Sequence, residues 1–125
     1  MKTLASVAPV FLVRDLARSL LYYQRMGFVI DFQYEGAYAS VVRDGCSVHL
    51  KSGAMSARDQ EAFEAEEHVD ACFAVSDAEA LSAELRDAGA TFALQLRSSP
   101  YGKEFYIKDP DGHILAFVES AAAKT

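Results

Sequence analysis

Tryptophan is absent from this chain of 125 residues, and there are only two cysteines and three prolines. Two cysteines cannot staple a disulfide scaffold, so Cys46 and Cys72 read as reduced, buried structural thiols. Basic residues are also scarce: 12 Lys and Arg stand against 18 Asp and Glu, a net charge of −6. That deficit argues against nucleic acid and against an anionic membrane surface, both of which reward clustered Lys and Arg. It leaves neutral or cationic small molecules as the favoured partners. Long apolar runs are missing too. The longest, residues 4–13, is interrupted by Pro9 and closed by Arg14 and Asp15. No small-x-small cleavage site follows it, so the expectation is a cytoplasmic protein with neither a secretory signal nor a membrane span.

What the chain does contain is apolar bulk: 51% of its residues, including eight Phe and six Tyr. That is enough for a real core in one domain over residues 1–125. It also contains a hidden repeat. Val13, Asp15 and Gly27 recur as Val75, Asp77 and Gly89, all at an offset of 62 residues. Each Val ends an apolar run. Each Asp, two residues on, suits a helix N-cap, where its carboxylate satisfies orphan N–H groups. Each Gly suits the left-handed residue after a helix. Between these landmarks Leu16, Leu20 and Tyr23, with Leu21 beside them, share one helical face. Ala78, Leu81, Leu85 and Ala88 share another.

Strands are expected before and after each helix: residues 7–13, 28–34, 38–43 and 46–51, then 69–75, 91–96, 103–108 and 113–119. Asp44-Gly45 and Asp109-Pro110-Asp111-Gly112 supply hairpin turns. The fold class is therefore α+β, a βαβββ module written twice. The pseudo-repeats span 5–51 and 68–119 and are joined by a polar linker, 52–67. Along the strands, the sets bearing Phe11, Phe73 and Phe117 are assigned to the helix-packed core. The alternate sets then face an open, concave side of a curved mixed sheet, with the helices on the convex side.

These residues resemble a known family. The stretch from Val13 through Asp15 to Tyr22-Tyr23, followed by Met26-Gly27-Phe28, is similar to the opening of glyoxalase and bleomycin-resistance proteins. So is the run from Tyr101-Gly102-Lys103-Glu104-Phe105 to Asp109-Pro110-Asp111-Gly112-His113, near the C-terminus. The resemblance covers residues 5–119 and implies the vicinal-oxygen-chelate fold. It does not imply one reaction, because the family includes lyases, isomerases, dioxygenases and metal-free binders.

The resemblance also implies where a metal would sit: Ala8, His49, Asp70 and Ala116. Alanine has no donor atom, and a catalytic divalent ion wants three protein ligands and an open position. Neither a metal nor another cofactor is expected. His68 lies a pleat further out, Glu119 has the wrong parity, and His113 reads as solvent-exposed beside the turn. Leu12 stands where glutathione-using members carry Arg. His49 is open to two readings, a ligand-binding side chain or a polar lining residue. So is Asp70, as a ligand-binding carboxylate or one that bonds nearby N–H groups at the start of a strand. Phe32, Tyr34, Tyr38, Tyr101, Phe105 and Tyr106 supply aromatic faces, which suit flat or cationic ligands. Of these, Phe32, Tyr38, Tyr101 and Phe105 join His49 and Asp70 as the candidate ligand-binding set.

The expected function is a small-molecule binder that sequesters a drug or metabolite without a metal. A glyoxalase-like lyase or isomerase, or a dioxygenase, is the alternative, and a scaffold without a ligand is the third reading. A homodimer is expected, because one module alone buries little surface and family cavities are completed across a partner.

Overall fold

The structure, a computed structural model, describes residues 3–53, 56–59, 61, 68–100 and 102–120. The chain divides into two compact units, Met1–Met55 and Ser56–Thr125. In the first, β1 (Val10–Val13) leads into α1 (Leu16–Arg25), then β2 (Val29–Tyr34), β3 (Tyr38–Arg43) and β4 (Cys46–Ser52). In the second, β5 (Ala71–Ala74) leads into α2 (Ala78–Asp87), then β6 (Thr91–Ser99), β7 (Gly102–Lys108) and β8 (Ile114–Ser120). Each unit holds a four-stranded mixed sheet, ordered β1-β4-β3-β2 and β5-β8-β7-β6. The three later strands of each unit form an antiparallel meander. The first strand pairs in parallel with the last, a connection that needs the helix as its crossover. This is the expected α+β fold of two βαβββ modules.

The repeat's landmarks do the local work the sequence assigns them. The Asp15 side chain accepts a hydrogen bond from the Arg18 amide, and Asp77 accepts one from Ala80. Gly27 and Gly89 follow the two helices at φ +90° and +93°. Each conformation strains any side-chain-bearing residue. Beyond the backbone the two ends differ. Arg43 reaches across from β3 and donates to the Met26 carbonyl at 2.7 Å. It thereby satisfies one of the acceptors that a helix C-terminus leaves open.

The core lies where strand alternation puts it. In the first unit Phe11, Val13, Ala39, Val41, Val48 and Leu50 of the strands are buried, as are Leu16, Leu20 and Tyr23 of α1, which packs on β2, β3 and β4. Tyr22, not Leu21, completes that helix face: Tyr22 is buried and Leu21 is exposed. In the second unit four rings form a ladder across the sheet. Phe73 stacks on Phe117 at 5.1 Å, Phe117 on Phe105 at 5.0 Å, and Phe105 meets Phe92 at 5.6 Å.

Several boundaries differ from expectation. The first strand begins at Val10, not at residue 7. Pro9 has no N–H to donate to a ladder, although its carbonyl still accepts from His49. Strand β6 runs on to Ser99, because Arg97, Ser98 and Ser99 pair with Glu104, Lys103 and Gly102. Serines 98 and 99 are therefore strand residues, and Gly102 opens the next strand. Both cysteines are free and exposed rather than buried. Cys46 follows the Asp44-Gly45 turn, and Cys72 alternates away from the Phe73 face. In the expected linker, residues 57–59 and 61 are helical.

Candidate functional site

With the helix on one sheet face, the other face of each unit is where side chains remain for a ligand. On the first unit this face carries two rows set by strand pairing. Val10, His49, Ser40 and Phe32 make one row, and Leu12, Lys51, Tyr38 and Tyr34 the next. The aromatic members touch. Phe32 and Tyr38 lie parallel, 6.2 Å apart with 3° between their planes. The His49 ring stands edge-on to both, at 5.6 Å and 5.5 Å. Tyr34 meets Phe32 at 5.7 Å.

The Tyr38 hydroxyl and His49 Nδ1 are 2.9 Å apart. In one tautomer the phenol donates to the imidazole. In the other Nδ1–H donates to the phenol and leaves the hydroxyl proton for a ligand. Phe32 keeps 37% of its surface exposed and Tyr34 69%. The rings hold one another in place and leave part of their surface open to solvent.

On the second unit the corresponding rows are Cys72, Ala116, Tyr106 and Leu94, then Ala74, Val118, Glu104 and Arg97. Small residues make a low floor, bounded by a charged chain. Arg97 donates to Glu104 Oε2 through Nε at 3.0 Å, with Nη2 at 2.9 Å. The Tyr106 hydroxyl donates to Glu104 Oε1 at 3.1 Å. Partial burial raises the Tyr106 phenol above its ordinary range, and the bond to the Glu104 carboxylate raises it further. In a spectrophotometric titration Tyr106 should therefore ionise above pH 10, and a Glu104→Ala variant should bring it down toward that value. Because the folded-state value is raised, the stability Tyr106 contributes is complete below about pH 10 and is lost as pH climbs through the shifted value.

The candidate residues thus separate. His49, Phe32 and Tyr38 come together on the open face of the first unit. Phe105 does not join a ligand face: it is fully buried in the ring ladder, and its neighbour Tyr106 takes the open side. Tyr101 lies outside the described residues. Asp70 is a strand-end clamp. Its backbone N–H donates to the Ile114 carbonyl, and its Oδ2 accepts from the Ile114 N–H at 2.8 Å. His68 Nε2 stands 3.2 Å from the same oxygen and 3.3 Å from the Gly112 carbonyl.

His113 is not exposed but 4% accessible. Asp109, itself buried, accepts the His113 and Asp111 amides on one oxygen. The turn this forms brings His113 inward, its Nδ1 3.9 Å from Asp70. Glu119 is buried on the core side and accepts the first amide of α2, that of Ala78, at 2.8 Å. Sequence reasoning missed this cap, although the core-side parity of Glu119 was a usable signal.

Among the described residues the donors at the positions the family uses for a metal are fewer than the three a catalytic ion wants. His49 pairs in register with Val10, and Ala116 with Cys72. Val10 and Cys72 are themselves 62 residues apart, so His49 and Ala116 are equivalent positions, one with a donor and one without. Among the described residues no group of three or more His, Cys, Asp or Glu is arranged to hold a metal ion.

Known structures share this fold. A crystal structure of a bleomycin-binding protein from bleomycin-producing Streptomyces verticillus, complexed with copper(II)-bleomycin, superposes with TM-score 0.73. It has 26% identity, over 96% of this chain and 99% of that one. A bleomycin resistance determinant encoded on the transposon Tn5 gives TM-score 0.75 at 16% identity, over 94% and 99%. A glyoxalase-related enzyme from Clostridium phytofermentans gives 0.74 at 19%, over 95% and 97%. No curated protein matches the chain. Residues 4–117 match one family along nearly their whole length, and the twin capped helices and paired βαβββ sheets are its fold: the chain belongs to the glyoxalase/bleomycin resistance protein/dioxygenase superfamily.

Proposed function

We propose that the protein binds and sequesters a planar or cationic small molecule, a drug or a metabolite, without a catalytic metal. The observation that carries this reading is the Phe32–Tyr38–His49 cluster on the open face of the first unit. Stacked, half-exposed rings bind flat surfaces, and ring faces attract cations. The chain's net charge of −6 acts in the same direction. A relative of the same fold is complexed with copper(II)-bleomycin, which supports this reading.

The protein acts as a homodimer. The open face of the first unit leaves Val10 and Tyr34 largely uncovered and Phe32 in part, and a partner would reduce that exposure. It resides in a reducing compartment, the cytoplasm, consistent with two free, exposed cysteines. No helix among the described residues is long and apolar enough to cross a membrane.

Calorimetric titration with ethidium and with copper(II)-bleomycin tests the binding reading. Saturable binding of at least one, at one per chain, is expected, and absence of both defeats it. A light-scattering mass of one chain at micromolar concentration would count against the dimer.

The second reading is a lyase or dioxygenase, favoured by one observation: His49 lies at a position that the family uses for a metal, hydrogen-bonded to Tyr38. Elemental analysis of protein grown with nickel, zinc, iron and manganese separates the two. We expect far less than one metal per chain, and His49→Ala should weaken ethidium binding without altering metal content. Near one equivalent, lost in His49→Ala, would put the enzyme first.

A further inference from the structure

Between His49 and Phe32 in the sheet register lies Ser40 on β3. Its side chain is 1% exposed, and its Oγ is closed to solvent with no hydrogen-bond partner among the described residues. Neither of its neighbours in the row bonds it. His49 Nδ1 is taken by the Tyr38 hydroxyl, and Phe32 has no polar atom. Its chain neighbours Ala39 and Val41 alternate to the helix-packed face and present nothing to the Ser40 side chain. A buried hydroxyl without a partner costs the fold free energy that a methyl group would not. That cost is recovered by a molecule that displaces a covering side chain of the ring cluster and sets a polar atom against the hydroxyl. In such a dry setting the resulting hydrogen bond is also stronger than it would be in water.

We propose that Ser40 is the hydrogen-bonding floor of the aromatic subsite and selects flat aromatic ligands that carry a hydrogen-bonding ring atom over their all-carbon counterparts. The inference rests on the reading that the first unit's open face binds ligand, and it adds the ligand's class. Phe32 and Tyr38 supply surface for any ring system. Ser40 supplies the discrimination, because its hydroxyl can donate to a ring nitrogen or accept from a ring N–H. Specificity of this kind comes from a site built to bond a polar atom and left unpaired without it.

Quinoline and naphthalene test this directly, since they differ by one ring nitrogen. Titration of the full chain with each, followed through backbone amide shifts, should move the amides of Phe32, Tyr38 and Ser40. Quinoline should bind about tenfold more tightly, the order expected of one buried hydrogen bond. Ser40→Ala should erase the preference by weakening quinoline binding to the level of naphthalene. Ser40→Cys, which keeps the shape but is a weak donor, should largely erase it too. The melting midpoint of Ser40→Ala should stay level or rise, because an unpaired hydroxyl has been removed.

Equal binding of the two probes to the wild type would overturn the inference, and so would a preference that survives in Ser40→Ala. A clear fall in melting midpoint would make Ser40 a structural residue and overturn it as well. In those cases the binding face itself stands, because the Phe32 and Tyr38 amides still respond. No response to either probe would overturn both the face and the floor.

Discussion

Phe105→Ala should be the most destabilising single change in the second unit, by about 3–5 kcal/mol. The ring is fully buried and sits inside a ladder, stacked on Phe117 and in contact with Phe92. Its removal takes away transfer free energy and leaves a hole that the flanking rings cannot fill without leaving their rotamers. Ring–ring contacts add about 0.5–1.5 kcal/mol each beyond buried area. Against a typical total stability of about 5–15 kcal/mol, the variant should lose on the order of 10–20 °C of melting midpoint. Thermal unfolding monitored by circular dichroism measures this. A loss below about 1 kcal/mol would mean that Phe105 is not the core residue described above, and would return it to the ligand face.

Phe32→Ala should behave in the opposite way. Phe32 is partly exposed and outside the hydrophobic core, so stability should change by less than about 1 kcal/mol. Ligand binding should suffer instead. Without the ring, the parallel partner of Tyr38 and the edge contact to His49 are both gone. The ethidium dissociation constant should rise about 10- to 100-fold, equivalent to about 1.4–2.7 kcal/mol. Tyr38→Ala should match or exceed this, since it also releases His49 Nδ1. Unchanged ethidium binding in both variants would move the binding face elsewhere. The pair Phe105 and Phe32 thus separates two roles that one-letter composition cannot.

That separation shows what the residue string alone carries. The helix caps were legible because capping is local: Asp15 and Asp77 act three residues away on the amides of Arg18 and Ala80. The core face of β1, β5 and β8 was legible from alternation. The same rule extends to β7. Phe105 pairs with Phe117, and Tyr106 with Ala116, so the two neighbouring aromatics must diverge. Alternation by itself does not say which of them faces the helix; the cross-strand register does. His49, Phe32 and Tyr38 were foreseen as candidates, but their mutual contacts depend on that register as well. What stayed hidden was long-range satisfaction of polar groups. Glu119 caps a helix 41 residues earlier, and the buried state of His113 depends on a turn that Asp109 folds around itself. Ser40 is unmarked in the sequence, since nothing local identifies a hydroxyl as unpartnered.

The outer strand of the first unit carries a further consequence, for solubility. Strand β2 reads Val-Ile-Asp-Phe-Gln-Tyr, and all six residues are exposed or nearly so. With Asp31 replaced by an apolar residue this would be an uncharged, β-prone hexapeptide at a sheet margin, the composition from which cross-β fibrils grow. Asp31 sits where the register with β3 slips, between Ile30 and Phe32. It therefore combines a charge with a bulge, the two devices that make an open strand a poor template for another chain. An outer strand with uncovered aromatic rings carries a standing risk of self-association, and one carboxylate at one irregularity guards against it.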